Sequence, residues 1–437
     1  MLVISCAPND NNDVAGTDIR DPYTPDIQIV YEDNDGEFEY KTTEIDNISE
    51  YVIIYPNGND SNMKSAMVLK EFFKSSFDVD LQVLSDSQEE KNNEILVGNT
   101  NRPQSSKKYN ENELSVFAQD GKIVFNGGHD VMIDSAVKKF VRASLSENKI
   151  CLFDIKTDFV TEKLDGYKYV WGDEFEGSDL DFTKWSFRKS MNGTTKMEVS
   201  YDKNVIDVSD GRLKLRAIRF YNPDNPSTEY RVPYGVSSKE NMNFTYGYME
   251  VRCRLPFKTG AWPSFWALST DTLKGKMSDV FRAEVDVIEV FGNTIVKPHV
   301  HKHYDSIKKD TFWGQFKSQS TWEFDPSDKL IYEYHTYGCE WTETEIKMYV
   351  DGKHYQTFDI TTSYDDNPDM SGYHDPIYLL FNNHLITDDG WQPGTPVEKN
   401  TKELPMEYFI DYVRVYQKPG VGELYTSDKE NVYADRK

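Results

Sequence analysis

From about residue 160 onward the chain consists almost entirely of short β-forming runs. Arg212–Ala217, Tyr246–Leu255, Glu284–Phe291, Ile346–Val350, Ile377–Phe381 and Phe409–Tyr416 alternate with turns rich in Gly, Asn, Asp and Pro, and helical periodicity nearly vanishes. Parallel strands need crossover segments, usually helical, between them. Many short strands without crossovers predict an antiparallel sandwich, an all-β jelly-roll in class. All eight tryptophans (Trp171, Trp185, Trp262, Trp266, Trp313, Trp322, Trp341 and Trp391) lie in this part. With 28 Tyr and 24 Phe in the chain, there is ample apolar surface for a large core.

The preceding stretch has a different grammar. Residues 7–26 are rich in Asp, Asn, Thr and Pro, and 1–26 read as a lipoprotein-type tether. Across 27–160, short strands at Tyr51–Pro56, Glu94–Val97, Ile123–Phe125 and Ile150–Ile155 alternate with two amphipathic helices. The first is capped by Ser61 and carries Met63, Ala66, Met67, Leu69, Phe73 and Phe77; the second carries Ile133, Ala136, Val137, Phe140, Val141 and Leu145. This predicts a small N-terminal α/β domain, followed by the sandwich over 161–418 and a loosely attached tail over 419–437.

The formal charge of −25 opposes polyanions, since phosphate contacts need clustered Lys and Arg. Nucleic acid is therefore excluded as a partner, heavily sulfated polymers are disfavoured, and a neutral substrate fits better. No apolar run is long enough to span a membrane. The four cysteines make no disulfide framework, and Cys151, Cys253 and Cys339 are expected as buried thiols. Cys6 follows Leu2-Val3-Ile4-Ser5 and precedes a polar run, which resembles the lipobox of a bacterial lipoprotein. That resemblance implies acyl chains on Cys6, a trimmed leader and a place in the cell envelope, with lipid as the only link to the membrane.

One strand carries the chemistry. In Ala283-Glu284-Val285-Asp286-Val287-Ile288-Glu289-Val290-Phe291, acids that disfavour strands interrupt a strongly β-forming run. Period-2 alternation puts Glu284 and Asp286 on one face and sends Glu289 to the other. A single β-bulge between Asp286 and Glu289 shifts the register by one and gathers all three. A charged edge strand would explain the acids if their neighbours were polar, but Val285, Val287 and Ile288 demand a buried opposite face. Three close carboxylates cannot all ionise, so at least one holds its proton near neutral pH. One protonated and one ionised acid is what glycoside hydrolysis requires.

These residues resemble glycoside hydrolase family 16, whose E-x-D-x-x-E signature Glu284-Val-Asp-Val-Ile-Glu289 matches in its bulged form. Trp171-Gly-Asp-Glu-Phe-Glu-Gly177, Tyr246-Gly-Tyr-Met-Glu-Val-Arg-Cys-Arg-Leu-Pro256, Trp262-Pro-Ser-Phe-Trp266, Tyr337-Gly-Cys-Glu-Trp341 and Ile410-Asp-Tyr-Val-Arg-Val-Tyr416 follow in the family's order. The resemblance implies Glu284 as nucleophile, Glu289 as acid and then base, and Asp286 as the group that hydrogen-bonds and orients the nucleophile. It implies a retaining mechanism, no catalytic cofactor, and a structural calcium at Asp411, which on residues alone could equally be a surface carboxylate. The earlier domain resembles the non-catalytic α/β domain of family 20 hexosaminidases, and is read as a spacer.

In the cleft, Trp262 and Trp266 share a strand face. Large aromatics in a β run are usually core, but the family resemblance makes them sugar platforms. Trp313, Trp322 and Trp391 would wall the cleft from loops. His299, His301 and His303 alternate as zinc ligands can, yet no further motif supports a catalytic metal. His303 and Asn382 are instead expected to bind substrate. Loops at Asp271–Arg282 and Asn383–Trp391 depart from the laminarinase pattern, leaving β-glucan and galactan-type backbones, including N-acetyllactosamine chains, both open. The expectation is a monomeric, endo-acting retaining β-glycosidase on a neutral glycan. The competing readings are a non-catalytic glycan-binding protein, which would lack one of the three acids, and a transglycosylase.

Overall fold

The computed structural model describes residues 41–42, 47–147, 150–155, 164–188, 194–273, 277–292, 295–303, 317–318, 322–323, 334–363, 366–390 and 394–434. The expected tether, Cys6, Trp313 and Trp391 lie outside the described residues, as do the side chains of Trp322 and His299.

The first unit is a seven-stranded sheet carrying two helices, α1 (Asp60–Phe77) and α2 (Asp130–Glu147). Val52–Tyr55 runs parallel to both Gln82–Ser85 and Glu94–Val97, and the latter runs parallel to Lys122–Gly127. The connection between Leu114–Gln119 and Lys122–Gly127 is a tight Asp120-Gly121 hairpin with both residues at positive φ, 50° and 75°. Strand alternation sends Ile53, Ile95 and Phe125 into one core with Leu69, Phe73, Ala136 and Phe140 of the helices. The cap of α1 is Asn59, not Ser61: its side-chain oxygen accepts from the Asn62 N–H at 2.9 Å. Met67, Phe77 and Leu145, which the periodicity placed on buried faces, are exposed.

Among the described residues the second unit is a sandwich of two ten-stranded sheets, whose strands pair antiparallel except Met197–Ser200 with Tyr230–Pro233. One sheet bears the acids. Its main path uses β1 (Ser186–Arg188), β2 (Gly235–Ser237), β3 (Ala261–Ser269), β4 (Arg282–Val290), β5 (Ile295–His303), β6 (Lys317–Ser318) and β7 (Ile377–Leu385), in the spatial order β6-β5-β4-β3-β7-β2-β1. The opposite sheet centres on Met406–Gln417, flanked by Arg212–Arg219 and Gly247–Arg254. Between the sheets lies a core in which Val285, Val287, Ile288 and Val290 of β4 join Met249, Val251, Val413 and Val415. Cys253 and Cys339 are buried free thiols, as expected.

The tail after Pro419 is more firmly held than its composition suggests. Glu423–Thr426 pairs with Met242–Thr245, and the Phe187 N–H of β1 donates to the Val432 carbonyl at 2.7 Å. The tail thereby covers part of the edge that β1 would otherwise leave open.

Candidate active site

Bulging of β4 is visible in both of its pairings. Against β3, Phe265 pairs with Ile288 and Trp266 with Asp286, leaving Val287 without a partner. Against β5, Asp286 pairs with His299 and Glu289 with Lys297, so two residues of β4 face Pro298 alone. Proline has no N–H to give to a ladder and is found in sheets at such irregularities. The extra residue turns Glu289 back to the face of Glu284 and Asp286, while Val287 and Ile288 are both buried in the core.

Two strand-alternating histidines of β5 meet these acids. His303 Nε2 lies 3.1 Å from Glu284 Oε2, and His301 Nε2 lies 2.8 Å from Asp286 Oδ2 and 3.7 Å from Glu284. Asp286 was expected to orient the nucleophile directly. Its described hydrogen bond is instead to His301, and Glu284 rests on His303. Glu284, Asp286 and His301 each place one polar atom within 4.8 Å of the others, a spacing a cation could also use. Their contacts with one another account for it here.

The three acids have different proton affinities. Burial alone would push Glu284 upward, but the hydrogen bond with His303, backed by His301 and Arg188, holds it below the usual 4.5. Burial, followed by repulsion from Glu284, raises Asp286 well above 3.8. Burial also lowers His301, whose Nε2 shares a 2.8 Å hydrogen bond with Asp286. Glu289 is pushed up to about 8, first by burial and then by Asp286. One site thus holds an ionised carboxylate and a protonated one at neutral pH, the division of labour that glycosidic cleavage needs.

On β3, Trp262 and Trp266 share the acid-bearing face, as their spacing predicted, and both are half-buried. Trp262 Nε1 donates to Glu289 Oε1 at 3.0 Å, and its ring stacks near Phe291 at 5.9 Å. Trp266 Nε1 donates to Asn382 Oδ1 at 2.7 Å, and the Asn382 amide also lies 3.2 Å from His384 Nε2. Asn382, expected at the substrate, holds the Trp266 indole in place. The Arg188 guanidinium sits 5.2 Å from the Trp266 ring centre.

Sequence reading missed Arg188 and His384. Arg188 lies on an edge strand nearly a hundred residues from the signature, with nothing local to mark it. His384 is two positions from Asn382 on β7, so period-2 alternation could have placed it on the same face.

The Trp262 bond makes a testable statement about Glu289. A donated hydrogen bond favours the carboxylate, so Trp262→Phe should move the alkaline limb of kcat/KM to higher pH. A merely structural indole would lower activity at every pH and leave the limb where it was.

The sequence model described as "Beta-porphyranase A-D, GH16 domain" matches residues 170–418, more than half of the chain. This chain belongs to glycoside hydrolase family 16. Among its family relatives is a glucan endo-1,3-beta-glucosidase A1 of Niallia circulans, 28% identical over 58% of this chain but only 38% of the relative. A beta-glucanase of Rhodothermus marinus is 27% identical over 59% of this chain and 87% of its own length. A beta-porphyranase B of Phocaeicola plebeius is 24% identical, with the same two coverages. As a family 16 enzyme, the chain is a glycoside hydrolase whose catalysis needs no cofactor. The family match begins at residue 170 and leaves the α/β unit outside it.

The calcium expected at Asp411 does not fit. Calcium takes six to eight oxygens at about 2.3–2.6 Å. Asp411 Oδ1 already lies 3.3 Å from Lys139 Nζ, and its Oδ2 accepts from Arg252 at 2.8 Å. Two cations occupy the space the ion would need.

Proposed function

We propose that this family 16 hydrolase cuts internal linkages of a β-linked, galactan-type glycan and retains the configuration of the anomeric carbon. What carries the reading is the division of proton affinity along β4, with Glu284 ionised and Glu289 protonated until about pH 8. Glu284 attacks the anomeric carbon as the glycosidic C–O bond breaks, and the leaving oxygen takes the Glu289 proton. Water then attacks the glycosyl-enzyme, gives a proton to Glu289, and frees Glu284. The galactan preference is supported by the porphyranase character of the matching family model and by the loops that differ from laminarinases. The charge of −25 favours its uncharged members over heavily sulfated ones.

Digestion of agarose, poly-N-acetyllactosamine, porphyran and laminarin, read by mass spectrometry and by proton NMR of the first products, tests all parts of this reading. Expected are mid-chain galactan fragments bearing the β-anomer. Cleavage confined to laminarin would reject the galactan, and initial release of the α-anomer would reject retention. We further propose that lipid on Cys6 holds the protein at the cell envelope; Cys6→Ala should then release it into the soluble fraction.

A further inference from the structure

The α/β unit docks on the outer face of the sheet opposite the active site, and its contact there is made of buried charge. Ser135, Lys139 and Arg142 are spaced four and three residues apart and form one stripe of α2. Lys139 Nζ lies 3.3 Å from Asp411 and 3.5 Å from Glu176, while Arg142 pairs with Glu176. The side chains of Lys139 and Glu176 are only 4% and 5% exposed, and that of Asp411 11%. Alongside, Ser135 lies 3.5 Å from Glu174, whose carboxylate takes two hydrogen bonds from Arg414 at 2.8 and 2.9 Å.

The sandwich prepares this contact in two ways. Asp411 is the extra residue of a bulge: Arg252 pairs with Tyr412 and Cys253 with Ile410, so Asp411 leaves the ladder. Glu174 and Glu176 flank Phe175, which enters the core at a left-handed φ of 47°. Without α2, Asp411 would keep Arg252 and Glu174 would keep Arg414, but Glu176 would lose both of its described ion-pair partners. With α2 docked, removal of either cation would leave Glu176 buried with one described ion-pair partner fewer, which is costly.

We propose that Lys139 and Arg142 form an internal cation for Asp411 and Glu176, standing where the family resemblance places a structural calcium. The α/β unit is then no spacer. It is a fixed part of the catalytic body, and the sandwich depends on it for charge balance.

The test is thermal unfolding of the full chain by calorimetry, in millimolar calcium chloride and in excess EDTA. Wild type should unfold in one transition with the same midpoint in both. Lys139→Ala should lose roughly 5 °C or more, and calcium should restore part of that loss by entering the vacated acid pair. Lys139→Arg, which keeps the charge, should stay nearer wild type than Lys139→Ala. The proposal is overturned if the wild-type midpoint falls in EDTA, or if elemental analysis finds stoichiometric calcium in the purified protein. It is equally overturned if Lys139→Ala unfolds like wild type, or if calcium leaves the variant's midpoint unmoved. Should Lys139→Ala fail to fold, the wild-type arms and the elemental analysis still decide.

Discussion

Glu289→Gln should lower kcat on a polysaccharide by about 10² to 10⁴, the range of a lost general acid. Binding of uncleaved glycan should persist, because the amide fills the same volume. The deficit should shrink sharply on an aryl glycoside whose leaving group departs without a proton. Glu284→Gln should behave differently: the loss is at least on the order of 10⁴ and does not recover with a better leaving group, because no glycosyl-enzyme can form. Steady-state rates on the two substrate types, with calorimetric binding as control, separate the two roles. Equal rates for wild type and Glu289→Gln on polysaccharide would remove Glu289 from the mechanism.

The pH dependence of kcat/KM should be bell-shaped, with limbs belonging to these two acids. Glu284 must be ionised and its affinity for the proton is depressed, so activity falls only as pH drops below about 4.5. Glu289 must be protonated and is raised to about 8, so activity falls as pH climbs through that value. Asp286 is the neighbour that, after burial, most opposes ionisation of Glu289. Asp286→Asn removes this repulsion, and the alkaline limb should move to lower pH, opposite to the shift expected for Trp262→Phe. A profile whose alkaline limb ignores both substitutions would show that another group sets it.

Much of this site could be read from the chain because the signal is local. In β4, the clash between an odd-numbered separation and a one-sided set of acids calls for one extra residue, and Val285, Val287 and Ile288 fix which face is buried. The structure places the bulge there, opposite Pro298. The pairing of Trp262 with Glu289 was not legible in the same way, although both residues were singled out. It depends on the register between β3 and β4, which the bulge itself shifts. Asn382 shows the limit from the other side: its place on the strand was legible, but its bonds to Trp266 and His384 were not.

The order of residues by itself determined the two-part organisation, the antiparallel character of the second part, and the wall of three acids. Each follows from backbone periods of two or 3.6 residues, which involve only near neighbours in the chain. Only the tertiary structure decided which acid keeps its proton, that Arg188 and His303 stand by Glu284, and that Lys139 meets Asp411 across 272 positions. Charge and desolvation act through space, so the distances that set them come into being only when the sheets stack and α2 docks.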